Sequence, residues 1–344
     1  MLPNNILVEI KDLHTYFYLA EGVVRAVDGV DLEIRRGETL GIVGESGCGK
    51  TITAFSLLRI VPPPGRIEKG DIHFYRTVQQ DEKALTNVIN LAQLDPEGRE
   101  IRDIRGNQIS MVFQEPMTAM SPVRTVGVQI TEAIILHQKV SKAEAREKAI
   151  EMLARVRMPK PERTIDDYPF QLSGGMRQRA VIAMALSCRP SLLIADEPTT
   201  ALDVTTEAQI LDLMRELQDE FGMAIMYITH NLGVIAEMAE EVAVMYMGKI
   251  VEQTDVQSIF FKPLHPYTRG LLRSIPQLDD AVKHLNKQRR LETIKGMVPD
   301  PYSRLKGCPF HPRCPDFIDD VCDQVEPGVI KVELGHIVRC HLYG

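Results

Sequence analysis

The stretch Gly44-Glu45-Ser46-Gly47-Cys48-Gly49-Lys50-Thr51 constrains this chain more than any other. It follows a compact apolar segment, residues 39–43, bounded by Gly37 and Gly44. It leads into a helical run from Lys50 to about Ile60, which Pro62, Pro63 and Pro64 stop. The spacing is G-x-x-x-x-G-K-[ST], a pattern that needs a strand before it and a helix after it. Glycines let the backbone curl until its N–H groups converge on phosphate oxygens. The helix start adds the positive end of its dipole. In that setting Lys50 meets the terminal phosphates and the Thr51 hydroxyl is a ligand for Mg²⁺. Cys48 reads as a small space-filler inside the loop, not as a nucleophile.

The rest of the chain supplies strands and helices in alternation. Residues 191–195 and 224–228 are buried-type strands. Between them residues 206–221 are amphipathic, with Ile210, Met214, Leu217 and Phe221 on one face and Gly222 as the stop. Residues 126–157 are expected to be helical, with Ser141 and Glu144 as a capping box. Residues 6–10 and 30–34 read as short strands around an aromatic-rich turn, and residues 65–112 as short strand patterns broken by polar turns. This alternation predicts an α/β fold with a mostly parallel sheet covered on both faces. After about Phe261 the texture changes: residues 262–344 are rich in Pro, His and Cys, and a domain boundary is expected there. A net charge of −7 gives no sign of a nucleic-acid partner. No apolar stretch is long enough to span a bilayer. The opening MLPNNILVEI lacks the pattern of a signal peptide. A cytosolic location, with reduced thiols, is expected.

The segment Leu192-Leu193-Ile194-Ala195-Asp196-Glu197 ends an apolar strand in two acids. Such a pair is commonly a solvated turn. Here a phosphate loop needs a metal partner, and ligands of open α/β sheets gather at the carboxyl ends of strands. Asp196 is therefore expected to hold Mg²⁺, directly or through water, and Glu197 to act as general base on the attacking water. His230 follows another apolar strand, where a contact to the γ-phosphate competes with a purely structural role.

One further segment, Leu172-Ser173-Gly174-Gly175-Met176-Arg177-Gln178-Arg179, taken alone is a Ser-capped helix start. Together with the loop, Asp196–Glu197 and His230 it resembles the ABC ATPase family, over residues 1 to about 260 and in the family's order. The resemblance implies a P-loop NTPase core over residues 1–261, with a helical subdomain at about 115–175. It implies that two ATPase subunits close over two ATP molecules and that hydrolysis drives a membrane partner. Gln114 then looks like the glutamine that senses Mg²⁺ and the γ-phosphate. Thr200-Ala201-Leu202-Asp203 resembles the D-loop, with Thr in place of the usual Ser. Phe17, or else Tyr16, stands where an aromatic stacks on adenine. The implied nucleotide contacts are Phe17, the loop residues from Gly44 to Thr51, Thr53 and Gln114, together with Ser173, Gly174, Gly175, Gln178 and Asp203. The implied catalytic set is Glu197, His230, Gln114 and Lys50, with Thr51, Gln114 and Asp196 on Mg²⁺.

The tail places cysteines at Cys308, Cys314, Cys322 and Cys340, spaced C-x5-C-x7-C-x17-C. Four thiolates suit zinc or an iron–sulfur cluster, and the spacing matches neither the usual zinc pairs nor the ferredoxin runs. The stretch His265-Pro266-Tyr267-Thr268 and the block Cys308-Pro309-Phe310-His311-Pro312-Arg313-Cys314-Pro315 resemble the C-terminal extension of dipeptide and oligopeptide importer ATPases. That resemblance implies a 4Fe–4S cluster on the four cysteines in a small Cys-rich C-terminal domain, 262–344, with zinc as the alternative. His311, His336 and His341 read as solvated or packing residues. The implied function is ATP hydrolysis that energises import of dipeptides or oligopeptides. The implied setting is the cytoplasmic face of the cell membrane, with two transmembrane permease subunits, a second homologous ATPase subunit or a copy of this chain, and an extracytoplasmic peptide-binding protein. Alternatives are an importer of nickel or another solute, a soluble ABC ATPase of DNA repair or translation, and a metal-cluster redox protein.

Overall fold

The computed structural model describes residues 5–80, 83–114, 119–200, 202–274 and 294–344. They form two compact units, each gathered from separated stretches of chain.

The first unit comprises Met1–Val8, Glu33–Thr39 and His73–Ile228. Its strands Ile109–Val112, Leu192–Asp196 and Ala224–Thr229 run in parallel, with Ile109 opposite Leu192 and Leu192 opposite Ala224. Every residue of the latter two strands is buried, as parallel strands covered on both faces require. The helix Val204–Phe221 buries Ile210, Met214 and Leu217 and ends at Gly222, whose φ of 64° suits glycine. The single helix expected over 126–157 is instead two, Val126–Gln138 and Lys142–Arg155. Lys139 turns left-handed at φ 53°, and the Ser141 hydroxyl accepts from the N–H of Glu144 to start the second helix. A capping residue inside an apolar-periodic run breaks the run. The short strands expected over 65–112 are a longer antiparallel ribbon, in which His73 faces Asn90, followed by the helix Arg99–Ile104.

The second unit comprises Glu9–Leu32, Leu40–Ile72 and Thr229–Gly344. The aromatic-rich stretch expected as a turn is strand: Ile6–Leu19 and Gly22–Arg35 leave only residues 20–21 between them. Alternate burial explains this, since Leu13 and Thr15 are buried while His14 and Tyr16 are half-exposed. The strand Thr39–Val43 pairs in parallel with Glu241–Tyr246, Leu40 opposite Glu241. Glu241–Tyr246 turns back into Lys249–Asp255, which pairs antiparallel with His336–Val338, itself paired with Ile330–Glu333. The cysteine-rich tail thus extends the sheet that carries the phosphate loop. Glu252, completely buried, fastens this part. Its carboxylate accepts from the N–H groups of Leu264 and His265 and lies 2.8 Å from Nε2 of His336.

Candidate functional site

In the second unit the strand Thr39–Val43 runs into the loop and the helix Lys50–Leu57 leaves it. Two glycines are required here by close approach. A Cβ at Gly44 (φ 156°) would lie 2.2 Å from the carbonyl oxygen of Met245, and one at Gly49 (φ 110°) 2.1 Å from that of Ala26. The loop is pinned at Cys48, whose carbonyl accepts from the Gly248 N–H at 2.8 Å. Buried Lys50 curls over it and donates to the carbonyls of Gly44 (2.8 Å) and Glu45 (3.1 Å). Buried Thr53 donates to the Gly49 carbonyl. Thr51 is half-buried, and Ser46 and Gly47 face solvent. Burial pushes the Cys48 thiol up, which fits an inert space-filler.

Beside the loop lies a cavity of 470 Å³, bordered by Glu45, Ser46, Cys48, Tyr16, Lys249 and the tail at Pro299. Of the two aromatics weighed for adenine, Tyr16 borders this cavity and Phe17 does not. The Phe17 ring packs over Gly65, where a Cβ would come within 2.6 Å of it. Tyr16 donates to Asp28 at 2.5 Å, and its pKa is pushed up to about 12, first by burial and then by that carboxylate. His230 is exposed and directly follows the strand Ala224–Thr229.

In the first unit Asp196 is buried, 2% exposed, at the end of its strand. Glu197 takes a left-handed φ of 46°, rare for a residue with a Cβ and frequent at functional sites. Its N–H donates to the Ile228 carbonyl. Gln114 Nε2 (2.9 Å) and the Thr200 hydroxyl (3.0 Å) both donate to its Oε2. The pair expected to sense and to activate is therefore in direct contact. Ser173 caps the helix Gly174–Leu186 by accepting from the Met176 N–H. Gly175 lies against Thr206, 2.8 Å from where its Cβ would stand, and Gly174 faces Leu202. Gln178 is fully buried, and its amide has no hydrogen-bond partner among the described residues. Asp203 caps the helix Val204–Phe221 and accepts from the Thr206 N–H and hydroxyl. Ala201 and residues 115–118, which include Glu115 and Pro116 of the glutamine loop, lie outside the described residues.

The tail cysteines Cys308, Cys322 and Cys340 are buried and Cys314 is half-buried. The Cys308 N–H donates to the Cys322 carbonyl. Burial first, then the neighbouring thiols, pushes Cys308 up to about 12 and Cys314 to about 11. Among the described residues no group of three or more His, Cys, Asp or Glu is gathered to hold a metal, so neither the 4Fe–4S cluster expected on the four cysteines nor the zinc alternative finds an assembled site. His311 bonds the Cys308 carbonyl, His336 lies against Glu252, and His341 bonds the Val325 carbonyl, in keeping with packing roles.

Tyr267 and Arg313 stand in the two tail blocks without a role of their own there, and nothing in the local pattern singles out Tyr246 or Glu252. Arg313 reaches Glu45 across 268 residues of chain, a pairing that no local pattern announces.

Residues 27–200 match the family "ABC transporter". Residues 251–322 match "Oligopeptide/dipeptide transporter, C-terminal region". The chain is 49% identical over 98% of its length to a probable peptide ABC transporter ATP-binding protein of Sinorhizobium fredii, y4tR, covering 95% of that protein. It is 47% identical to the oligopeptide transport ATP-binding protein AppD of Bacillus subtilis, over 98% of this chain and 97% of that one. To OppD of Salmonella typhimurium it is 46% identical, over 94% and 90%. Among solved structures, the dimeric ATP-binding cassette MJ0796, bound to ADP and Pi in a post-hydrolysis state, superposes with a TM-score of 0.61 at 27% identity, over 73% of this chain and 99% of that one. No described helix is long and apolar enough to cross a membrane. With both matched regions in place and near-complete relatives at this identity, the chain belongs to the ABC transporter ATP-binding family, in the group that carries the oligopeptide/dipeptide transporter C-terminal region.

Proposed function

We propose that this chain hydrolyses ATP to energise import of dipeptides or oligopeptides. It would work at the cytoplasmic face of the cell membrane with two transmembrane permease subunits, a second ATPase subunit and an extracytoplasmic peptide-binding protein. The observation that carries this reading is the joint presence, on one chain, of the built phosphate loop and a tail matching the peptide-transporter region. In it, loop amides and Lys50 hold the phosphates, and Tyr16 takes the place beside the base. Thr51, Gln114 and Asp196 hold Mg²⁺, which offsets phosphate charge. Glu197 accepts the proton of the attacking water while Gln114 and Thr200 keep its carboxylate aimed. His230, Ser173, Gly174, Gly175, Gln178 and Asp203 complete the contacts expected when two subunits close.

On this reading residues 1–261 are the ATPase body and 262–344 the peptide-importer extension. Cys308, Cys314, Cys322 and Cys340 would hold a 4Fe–4S cluster, a reading that rests on their number and on the tail's match to the peptide-transporter region, and that requires the thiols to gather when the cluster is inserted. Such a cluster supplies a structural cross-link or an electron store. Aerobically and anaerobically purified protein are compared for iron, sulfide and visible absorbance, and colourless protein without iron under both conditions removes the cluster.

Glu197→Gln is the test of the engine. The amide keeps an oxygen for Gln114 and Thr200, so ATP still binds, while loss of the base slows hydrolysis about 10²–10⁴-fold. Normal turnover overturns the role of Glu197. Deletion of the gene is expected to abolish uptake of labelled peptides, and loss of nickel uptake alone reassigns the cargo.

A further inference from the structure

Glu45, the second residue of the phosphate loop, is gripped twice by the C-terminal stretch of its own unit. Arg313 donates from both terminal nitrogens to both carboxylate oxygens, at 2.6 and 3.0 Å. Its side chain is only 4% exposed, and the Tyr246 hydroxyl lies 3.3 Å from one of those nitrogens. The main-chain N–H of Glu45 donates to the Tyr267 hydroxyl at 2.8 Å. The rings of Tyr246, Tyr267 and Phe310 pack on one another with centroids 4.6, 5.3 and 5.4 Å apart, so neither grip can swing freely.

A buried ion pair is often no more than a structural fastening with little net effect on stability. Two features of this one point further. A forked guanidinium–carboxylate pair fixes orientation as well as distance. The held residue is also the one whose carbonyl accepts from Lys50 Nζ at 3.1 Å. The side chain, the N–H and the carbonyl of Glu45 are thus committed to Arg313, Tyr267 and Lys50 respectively. A shift of Glu45 displaces the acceptor that parks the lysine meant for the terminal phosphates.

We propose that Arg313 and Tyr267 are positioning residues for nucleotide binding: by locking the Glu45 peptide they hold the loop, and through it Lys50, in the shape that receives ATP. Arg313 and Tyr267, which do not border the cavity beside the loop, then set the affinity of that site. This inference rests on the reading of residues 44–51 as the nucleotide loop, and Lys50→Ala separates the two. If Lys50→Ala leaves Mg-ATP affinity unchanged, the loop reading itself has failed.

The test uses the purified full chain, with KM and kcat for ATP, Mg-ATP affinity by titration, and a thermal melt for each variant. Arg313→Gln and Glu45→Gln are each expected to raise KM about tenfold, the effect of losing one charge-assisted grip, with kcat changed less than about threefold. The double variant is no worse than the poorer single one, because both remove the same contact. Arg313→Lys, which keeps a cation in reach of Glu45, recovers part of the affinity. Should Arg313→Gln not fold, Tyr267→Phe decides, since it deletes one oxygen from a packed ring: a severalfold rise in KM supports the proposal. Folded variants that keep the parent KM within about twofold, or single effects that simply multiply in the double variant, overturn it.

Discussion

Replacing Glu252 tests whether a single buried carboxylate organises the loop-bearing unit. It is fully buried. Oε1 accepts from the Leu264 N–H at 2.7 Å and lies 2.8 Å from His336 Nε2, and Oε2 accepts from the His265 N–H at 2.8 Å. Glu252→Ala leaves two backbone donors and an imidazole buried without their acceptor. Each unsatisfied group costs about 1–3 kcal/mol, and removal of one partner from a buried charged set about 3–5 kcal/mol in total. Glu252→Gln keeps one oxygen for Leu264 and His336 but turns an NH₂ toward the His265 N–H, so roughly 2 kcal/mol is lost. For a unit of this size each kcal/mol moves the midpoint by about 2–4 °C, so Ala lowers Tm by roughly 6–20 °C and Gln by about half as much or less. Scanning calorimetry of the full chain measures both. The turn at Leu264–His265 starts the helix that carries Tyr267, so the KM for ATP should rise alongside. A Gln variant melting with the parent, or Gln costing more than Ala, would refute the view that this carboxylate satisfies three donors.

Burial first, with the charge of Arg269 second, holds His265 down at about 3. The unfolded chain, near 6.5, binds the extra proton between those values, so this contribution is whole above about pH 6.5 and wanes as pH falls. About 2 kcal/mol is lost by roughly pH 5, and His265→Asn should flatten that slope; equal slopes by denaturant titration refute it. Gly49→Ala should abolish ATP binding because its Cβ meets the Ala26 carbonyl. Gly47→Ala, in open space, should cost only about 1 kcal/mol of left-handed strain and keep measurable affinity. The Cys48 thiol, pushed up by burial, should alkylate far more slowly than a free thiol near pH 8, and Cys48→Ala should retain ATPase activity.

What could be read from the residues divides along physical lines. The loop, the acid pair and the Ser173-capped helix were legible because each is a short contiguous pattern whose backbone needs are local. Glycine is demanded at 44 and 49, a cap at Ser173, and an apolar strand before Asp196. Apolar periodicity carries on across Lys139 and hides the helix break there, and only the cap at Ser141 marks the second start. The sequence favours Phe17 over Tyr16 for the adenine, yet it is Tyr16 that borders the cavity, since a strand's two faces differ only by one step in register. The Glu45–Arg313 and Glu252–His336 pairs have no local signature at all; they depend on the tail folding back onto the strand pair 241–255. The four tail cysteines suggest a metal by their number alone; their spacing matches no usual site, and among the described residues they are not gathered into one.

The unit that holds the phosphate loop is assembled from chain made at opposite ends of synthesis. The loop is translated within the first sixty residues, yet Met245, Gly248, Tyr267 and Arg313, which press on or hold it, emerge only after most of the protein has left the ribosome. Contacts of such long range form slowly and late. A nascent chain stalled before residue 240 therefore carries the loop's sequence without its shape, so competence for ATP is acquired as one of the last events of biogenesis.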